Sequence, residues 1–502
     1  MMRKVFLALL LLITTASLTT AQEVTVGSKA FTESVILGEI ATLSGEAAGI
    51  DVTHKDQIGG TMLLWNALKK GDIDAYPDYT GTIIKEILKD DRLVDFEAMR
   101  KALAQHKVLA TKPLGFSNPY QLGMKEEVAE KLGIRTISDL KKHPELQFGF
   151  SNEFMKRDDG WPSLQQRYSL PHPADQVKGM EHALAYKALG VDPKNDILVT
   201  DTYATDPKIK QYNLRVLEDD LDHFPKYETV FLYRDDLETR APAFVKALID
   251  LEGRISNDEM FALNCKVELE GQKEIQAAGD FLNMDVKVPT LAERIWRTTL
   301  EHLFLVSISL LAAIFVAVPL GVVATKKPKL GHVILTSAEI IQTIPGLALL
   351  VLLMPLLSNL GFNAIGPAPA IVALFLYSLL PIIRNTHTGL TSIPPSVNES
   401  AEAIGLSPWA QLWQVELPLA SRMILAGIKT TAAINVGFAT LGGLIGAGGY
   451  GGPIMEGLRL DSTRIMLEGA IPAAVLALVV KGLFELVERA LVPQGLRLKP
   501  ID

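Results

Sequence analysis

After Pro289 the chain carries a series of apolar runs, each close to the length that crosses a lipid bilayer, and no other feature restricts its folding as strongly. The runs fall at roughly 300–323, 333–358, 367–384, 423–446 and 466–488. A bilayer core asks for about 20 apolar residues per helical crossing. Lipid offers no hydrogen bonds, so each run must satisfy its own backbone and is expected to be a helix. Mean hydropathy is +0.22 although 21% of residues are charged, and most of the charge precedes residue 300. Such an average describes a mixture: a soluble region, 22–288, followed by a membrane region, 289–502.

Basic residues orient the membrane region. Lys326, Lys327 and Lys329 follow the first run, Arg384 follows the third, and Arg489, Arg497 and Lys499 follow the fifth. The stretch from Ser358 to Pro367 has no charge. By the positive-inside bias the first, third and fifth spans end in the cytoplasm, which leaves the start of the first span outside. Residues 1–21 agree: Arg3 and Lys4 precede an apolar run from Val5 to Ile13, and small residues follow up to Ala21. That is the form of a secretory signal, with an uncleaved anchor as the alternative. Either way the soluble region is exported. Glu339, Lys429 and Lys481 lie within the spans, as parts of a polar pathway or as snorkelling and helix-pairing groups.

A net charge of −8 and a pI near 5.7 argue against a nucleic-acid partner. Cys265 is the only cysteine, which excludes an internal disulfide and a cysteine zinc cluster. No metal or cofactor is expected. The chain has no G-x-x-x-x-G-K-[ST] loop, so any ATP hydrolysis belongs to a separate chain.

The soluble region reads as α/β. Short apolar strands such as Val24–Gly27, Gln147–Phe150 and Asp196–Thr200 alternate with helical patterns. One such pattern runs from Thr61 to Leu68 and ends on Lys69, Lys70 and Gly71, a basic last turn with a glycine stop. Strands interleaved with helices favour a mainly parallel sheet covered on both faces. The adjacent pair Asp158 and Asp159 reads as charges on a surface turn. A glycine-rich stretch from Gly442 to Pro453 closes the fourth span, fit either for a gate or for close helix packing.

Between the third and fourth spans, residues 398–418 lie in the cytoplasm by the topology above. Glu399, Ser400, Ala401, Gly405, Val415, Leu417 and Pro418 fall at the spacing of the EAA loop of ABC importer permeases, which this stretch resembles. Serine replaces the first alanine and valine the isoleucine of that pattern. The resemblance implies that Glu399, Ala401, Gly405, Leu417 and Pro418 couple the membrane helices to an ATPase. A short helix, a glycine break and a second short helix would form an L-shaped knob, with Trp409 and Trp413 sharing a face of the second helix.

Three stretches of the soluble region carry a second resemblance: Gly27–Glu33, Tyr76–Thr82 and Asp201–Asp206. They resemble the glycine betaine/choline/carnitine binding proteins of osmoprotectant ABC importers over nearly all of residues 22–285. The membrane half is likewise similar to that family's permease subunit, as in Glu301–Ser307. The implied architecture is a two-lobed α/β periplasmic-binding-protein-like domain (type II), followed by an all-α polytopic permease.

A quaternary ammonium has no N–H to donate, so its diffuse charge is met by aromatic faces, each contact worth roughly 0.5–2 kcal/mol. The family's motif positions carry over to Tyr79, Tyr120, Tyr203 and Tyr227 for this box. They carry over to Lys29, Thr82 and Arg157 for a ligand carboxylate, which accepts charge-assisted bonds. Asn118 stands where some relatives have aspartate, which turns the expectation from a bare cation towards a zwitterion or a bulkier trimethylated compound such as carnitine or ergothioneine. The implied machine is a dimer of this chain in the inner membrane, with two ATP-binding subunits and the soluble domain on the outer face. A ligand-gated receptor or channel would need a cytoplasmic output domain or a pore segment, and an enzyme would need a triad or a carboxylate pair; the sequence displays neither.

Overall fold

The computed structural model describes residues 23–90, 92–93, 95–191 and 196–492. The expected signal at 1–21, and Arg497 and Lys499, lie outside the described residues. The chain divides into two compact units, Met1–Val288 and Pro289–Asp502.

Among the described residues the first unit contains ten strands: β1 Glu23–Gly27, β2 Asp51–Lys55, β3 Ala75–Tyr79, β4 Val108–Ala110, β5 Tyr120–Lys125, β6 Gln147–Ser151, β7 Val177–Met180, β8 Ile197–Tyr203, β9 Leu214–Leu217 and β10 Thr229–Arg234. They form two five-stranded sheets ordered β2-β1-β3-β10-β4 and β7-β6-β8-β5-β9. Each sheet is the floor of one lobe. In the first, β1 pairs parallel with β2 and β3 while β10 runs antiparallel to β3 and β4. In the second, β6 pairs parallel with β7 and β8 while β5 runs antiparallel to β8 and β9.

The expected mainly parallel sheet is therefore corrected to two mixed ones. Parallel neighbours come from helical crossovers within a lobe. β5 and β10 instead arrive over a strap from the other lobe and enter the sheet against the direction of their neighbours. The two straps, residues 111–119 and 218–228, are tied by an antiparallel bridge between Ser117 and Glu228.

Three helices of this unit bear on the site: α1 Thr32–Ala47, α2 Thr61–Lys70 and α3 Asn257–Glu268. Helix α2 ends as read, on Gly71 at φ 81°, a left-handed conformation that glycine adopts without a Cβ penalty. Helix α3 opens on a capping box: Ser256 accepts from the Glu259 amide, and Glu259 accepts from Ser256.

The second unit is helical: α4 Leu291–Lys326, α5 Pro328–Thr343, α6 Gly346–Asn359, α7 Pro367–Thr391, α8 Pro395–Ala403, α9 Leu417–Phe438, α10 Gly451–Arg459 and α11 Thr463–Leu491. By length and composition, four helical segments of the described residues can cross a membrane, or five where a bent pair is counted as one span. That pair, α5 and α6, falls on the run expected at 333–358 and replaces its continuous helix with a broken one: the axis turns by 103° between them. Pro345 supplies no N–H and drives Ile344 into extended backbone at ψ 125°.

Helices α4, α7 and α9 share a core around Ala313, Ala317, Ile382, Ile383 and Ala420. Asn435, fully buried, bonds Ser378 at 2.9 Å and Ser309 at 3.4 Å, joining the same three helices through side-chain amides and hydroxyls. Glu339 pairs with Arg384, and Lys429 lies 3.2 Å from Glu485, so both carry out the helix-pairing role. The glycine-rich stretch packs tightly: a Cβ on Gly443 would lie 2.5 Å from the Gly451 backbone. The Gly449 amide, at φ +74°, donates to Glu301 at 2.7 Å.

Candidate functional site

Strand register assembles an aromatic cavity between the two lobes. Tyr79 ends β3 and Tyr203 ends β8, while Tyr120 opens β5 directly opposite Tyr203. The Tyr120 and Tyr203 rings are therefore neighbours at 5.0 Å between centroids. Asn118 and Tyr227 come from the two straps, where the Asn118 amide donates to the Tyr227 carbonyl at 3.0 Å. The Tyr227 ring stands edge-on to Tyr120 at 5.9 Å and lies against the turn at Gly81. A Cβ on Gly81 would come within 2.7 Å of that ring and 3.0 Å of the Lys226 carbonyl, so this close approach requires glycine.

The cavity holds about 340 Å3 of non-atom space, part of it open to solvent, and is lined by Lys29, Phe31, Tyr79, Thr82, Asn118, Tyr120, Glu153, Arg157, Tyr203 and Tyr227. All eight ligand positions expected from the sequence reach it. Phe31 and Glu153 were not expected. Phe31 stacks with both Tyr79, at 6.3 Å, and Tyr203, at 5.9 Å. It lies inside the quoted stretch Gly27–Glu33, so its neighbours in the chain could have flagged it.

The cations of the wall are already paired. Lys29 Nζ is 2.7 Å from Asp78 Oδ1 and 5.7 Å from the Tyr79 ring centre. Arg157 grips Asp159 through Nε and Nη2, both at 2.7 Å, and its guanidinium sits 5.0 Å over the Tyr120 ring. It also reaches Thr82 Oγ1 and Glu153 Oε1 at 3.4 Å. Asp159 is buried, which corrects its reading as a surface charge: a bidentate carboxylate–guanidinium fork holds it inside. Asp158 beside it is exposed, as read. Burial holds the hydroxyls of Tyr79, Tyr120, Tyr203 and Tyr227 well above their ordinary range, so all four stay protonated at neutral pH.

Behind Tyr203 lies a second layer. The His182 ring packs 4.7 Å from the Tyr203 ring and is within ion-pair distance of Asp201, at 3.4 Å, and Asp206, at 3.7 Å. Burial alone would lower its pKa, but the two carboxylates outweigh burial and raise it to about 9. The folded value thus lies above the ordinary one. The stability this charge contributes is complete below the ordinary histidine range and is lost as pH rises through about 9. The full chain's melting temperature is expected to fall as pH is raised from about 6.5 to about 9, and His182→Gln should flatten that dependence, read by scanning fluorimetry.

The residues expected to couple to an ATPase lie together on one loop. Glu399 and Ala401 ride on α8. Gly405 breaks the helix at φ +79° with open space where a Cβ would stand. A second helix, Pro408–Gln411, is capped by the Ser407 hydroxyl, which accepts from the Ala410 amide. This helix is not the short, separate second arm expected of an L-shaped knob. It widens into a π-turn at Leu412–Glu416 and runs on into α9. Pro418 in the first turn of α9 has no N–H for the usual bond to residue 414, and the wider turn absorbs the mismatch. Trp409 and Trp413 do share a face, with rings 5.7 Å apart and 69% and 55% exposed. Lys326 at the end of α4 is 2.6 Å from the buried Glu416, tying the loop to the first long helix.

Comparison with known proteins gives a consistent picture. Residues 22–284 match the family described as the substrate binding domain of ABC-type glycine betaine transport systems. Residues 317–493 match the binding-protein-dependent transport system inner membrane component. The choline transport system permease protein OpuBB of Bacillus subtilis (strain 168) is 43% identical over 205 residues, covering 41% of this chain and 92% of that protein. The osmoprotectant import permease protein OsmW of Salmonella typhimurium is 40% identical over 199 residues, 40% of this chain and 92% of that protein. A crystal structure of a glycine betaine/carnitine/choline ABC transporter is 28% identical with a TM-score of 0.44, covering 52% of this chain and 97% of the other.

Proposed function

The chain belongs to the family of substrate-binding domains of ABC-type glycine betaine transport systems, here continuous with an inner membrane transport component, and on that premise we propose that it both captures and translocates a quaternary ammonium solute. The observation that carries this reading is the convergence of Tyr79, Tyr120, Tyr203, Tyr227 and Phe31 with Lys29 and Arg157 on one inter-lobe cavity. Aromatic faces suit a trimethylammonium head, and the paired cations stand where a betaine carboxylate would need donors.

In this reading the soluble domain faces the outside, supported by the basic ends of the first, third and fifth spans. Ligand closes the lobes about the two straps, and the closed domain docks on a permease made of two copies of this chain. A separate ATP-binding subunit, one per copy, seats on the loop around Glu399, Ala401, Gly405, Leu417 and Pro418. Its motion reaches α9 directly through the continuous helix and α4 through Lys326 and Glu416. Fusion keeps the capture domain at high effective concentration near the entrance.

Calorimetry of the full chain with glycine betaine, proline betaine, carnitine, choline and ergothioneine tests the ligand class. Binding of an amino acid or a sugar, with none of these bound, would end the aromatic-box reading. For coupling, Trp409→Glu with Trp413→Glu should leave ligand affinity unchanged, because both side chains are exposed and remote in sequence from the soluble domain. Copurification of the ATP-binding subunit and ATP-dependent uptake into vesicles should both fall at least about tenfold, as for loss of clustered aromatic anchors. Undiminished uptake would sink the coupling role of this loop.

A further inference from the structure

Glu33 is 2% exposed, and four groups donate to it. Oε1 accepts from the Tyr79 hydroxyl at 2.6 Å and from Asn118 Nδ2 at 2.9 Å. Oε2 accepts from Asn264 Nδ2 at 3.1 Å and from the Thr205 hydroxyl. Both amide orientations are fixed by second bonds. The Thr205 amide donates to Asn118 Oδ1 at 3.2 Å, and Asn264 Nδ2 also donates to the Thr205 carbonyl at 3.1 Å. The two amide nitrogens therefore present fixed donors, and the two hydroxyls are placed to donate to a carboxylate. Burial raises the Glu33 carboxyl above its ordinary range, and the four bonds offset only part of that rise.

None of the four donors carries a charge. A buried carboxylate without a counter-ion is costly, and the Tyr79 ring that lies between it and the cavity is one of the faces offered to the ligand. Asn118 completes the explanation of its own position: it spends its amide on Glu33 and Thr205, so the negative charge sits one residue deeper than Asn118 itself.

We propose that Glu33 is a positioning and specificity residue of the aromatic box: by accepting the Tyr79 hydroxyl it makes that ring face more negative and selects a cationic head group over a neutral one of the same shape. A hydroxyl bonded to a carboxylate pushes electron density into its ring, and the attraction of a cation to a ring follows that density. The bound cation in turn supplies the counter-charge that the protein leaves out. The inference rests on the ammonium-box reading above. It deepens that reading by naming the group that sets the charge preference.

The test compares choline with 3,3-dimethylbutanol, its neutral isostere with carbon in place of the ammonium nitrogen, on the full chain by calorimetry. The wild-type chain should bind choline at least about tenfold more tightly. In Glu33→Gln this ratio should fall by about three- to tenfold, because the charge goes while the shape remains. Tyr79→Phe keeps the ring, removes the hydroxyl that Glu33 accepts, and should lower the ratio in the same direction. Equal weakening of both ligands in Glu33→Gln makes Glu33 a structural residue and overturns the proposal with the box intact. If Glu33→Gln does not fold, an unchanged ratio in Tyr79→Phe overturns it alone. A wild-type ratio near one removes the ammonium box itself, and this proposal with it.

Discussion

Tyr79→Leu combined with Tyr203→Leu is expected to weaken binding of glycine betaine or choline by roughly five-fold to several hundred-fold, as two ring contacts of about 0.5–2 kcal/mol each are lost. Leucine keeps most of the apolar bulk, so the effect reports the π faces rather than an empty cavity. This matters because Tyr79 is buried and belongs to the same packed cluster as Tyr120, Phe150 and Phe154. Truncation to alanine there would also remove core volume, at a cost of several kcal/mol, and would confound binding with folding. Calorimetry measures the affinity, and the melting temperature of the ligand-free chain verifies the fold. Affinity within twofold of wild type, in a folded double variant, would remove the cage from the argument.

Arg157→Met is expected to destabilise the soluble unit by about 3–5 kcal/mol, because it strands the buried Asp159 with the Tyr227 hydroxyl as its remaining side-chain partner. Adding Asp159→Asn should recover most of that loss, since the orphaned charge goes too. The double variant then isolates the role of the guanidinium in binding. A ligand with a carboxylate should lose about 1.5–3 kcal/mol, roughly tenfold or more, while choline, which has none, should change far less. Parallel melting curves and titrations with glycine betaine and choline read both effects. Equal losses for the two ligands would show that Arg157 serves the fold and touches no carboxylate.

These two expectations draw on different parts of the chain. The tyrosines sit in stretches whose wording alone marked them, Tyr76–Thr82 and Asp201–Asp206, and the structure brings them to one cavity with Tyr120 and Tyr227. The partners of the cations were harder to see. Asp78 lies within a quoted stretch, yet nothing in its spacing says that it takes Lys29. Asp159 looked like half of a surface pair. Glu33, Asn264 and Thr205 are separated by up to 231 positions, and no local pattern connects them.

The membrane half divides in the same way. Its spans were readable because lipid imposes one requirement on every residue in turn, namely that the backbone bond internally and the side chains be apolar. The break at Pro345 was readable in principle, since proline acts on its immediate neighbours, but the surrounding run of apolar residues hid it. The continuity of the loop helix with α9 was not readable. Pro418 argues locally for a helix start, and the π-turn at Leu412–Glu416 overrides it.

The amino-acid order by itself determined what depends on near neighbours: an α/β region, membrane helices, their caps and breaks, and the motifs that carry the family likeness. Only the tertiary structure decided which strands run antiparallel, which carboxylate answers which cation, and that Glu33 stands behind Tyr79. The physical reason is range. Periodicity and capping act over a few residues, whereas charge pairing and burial act through space between segments that the chain brings together only when it folds.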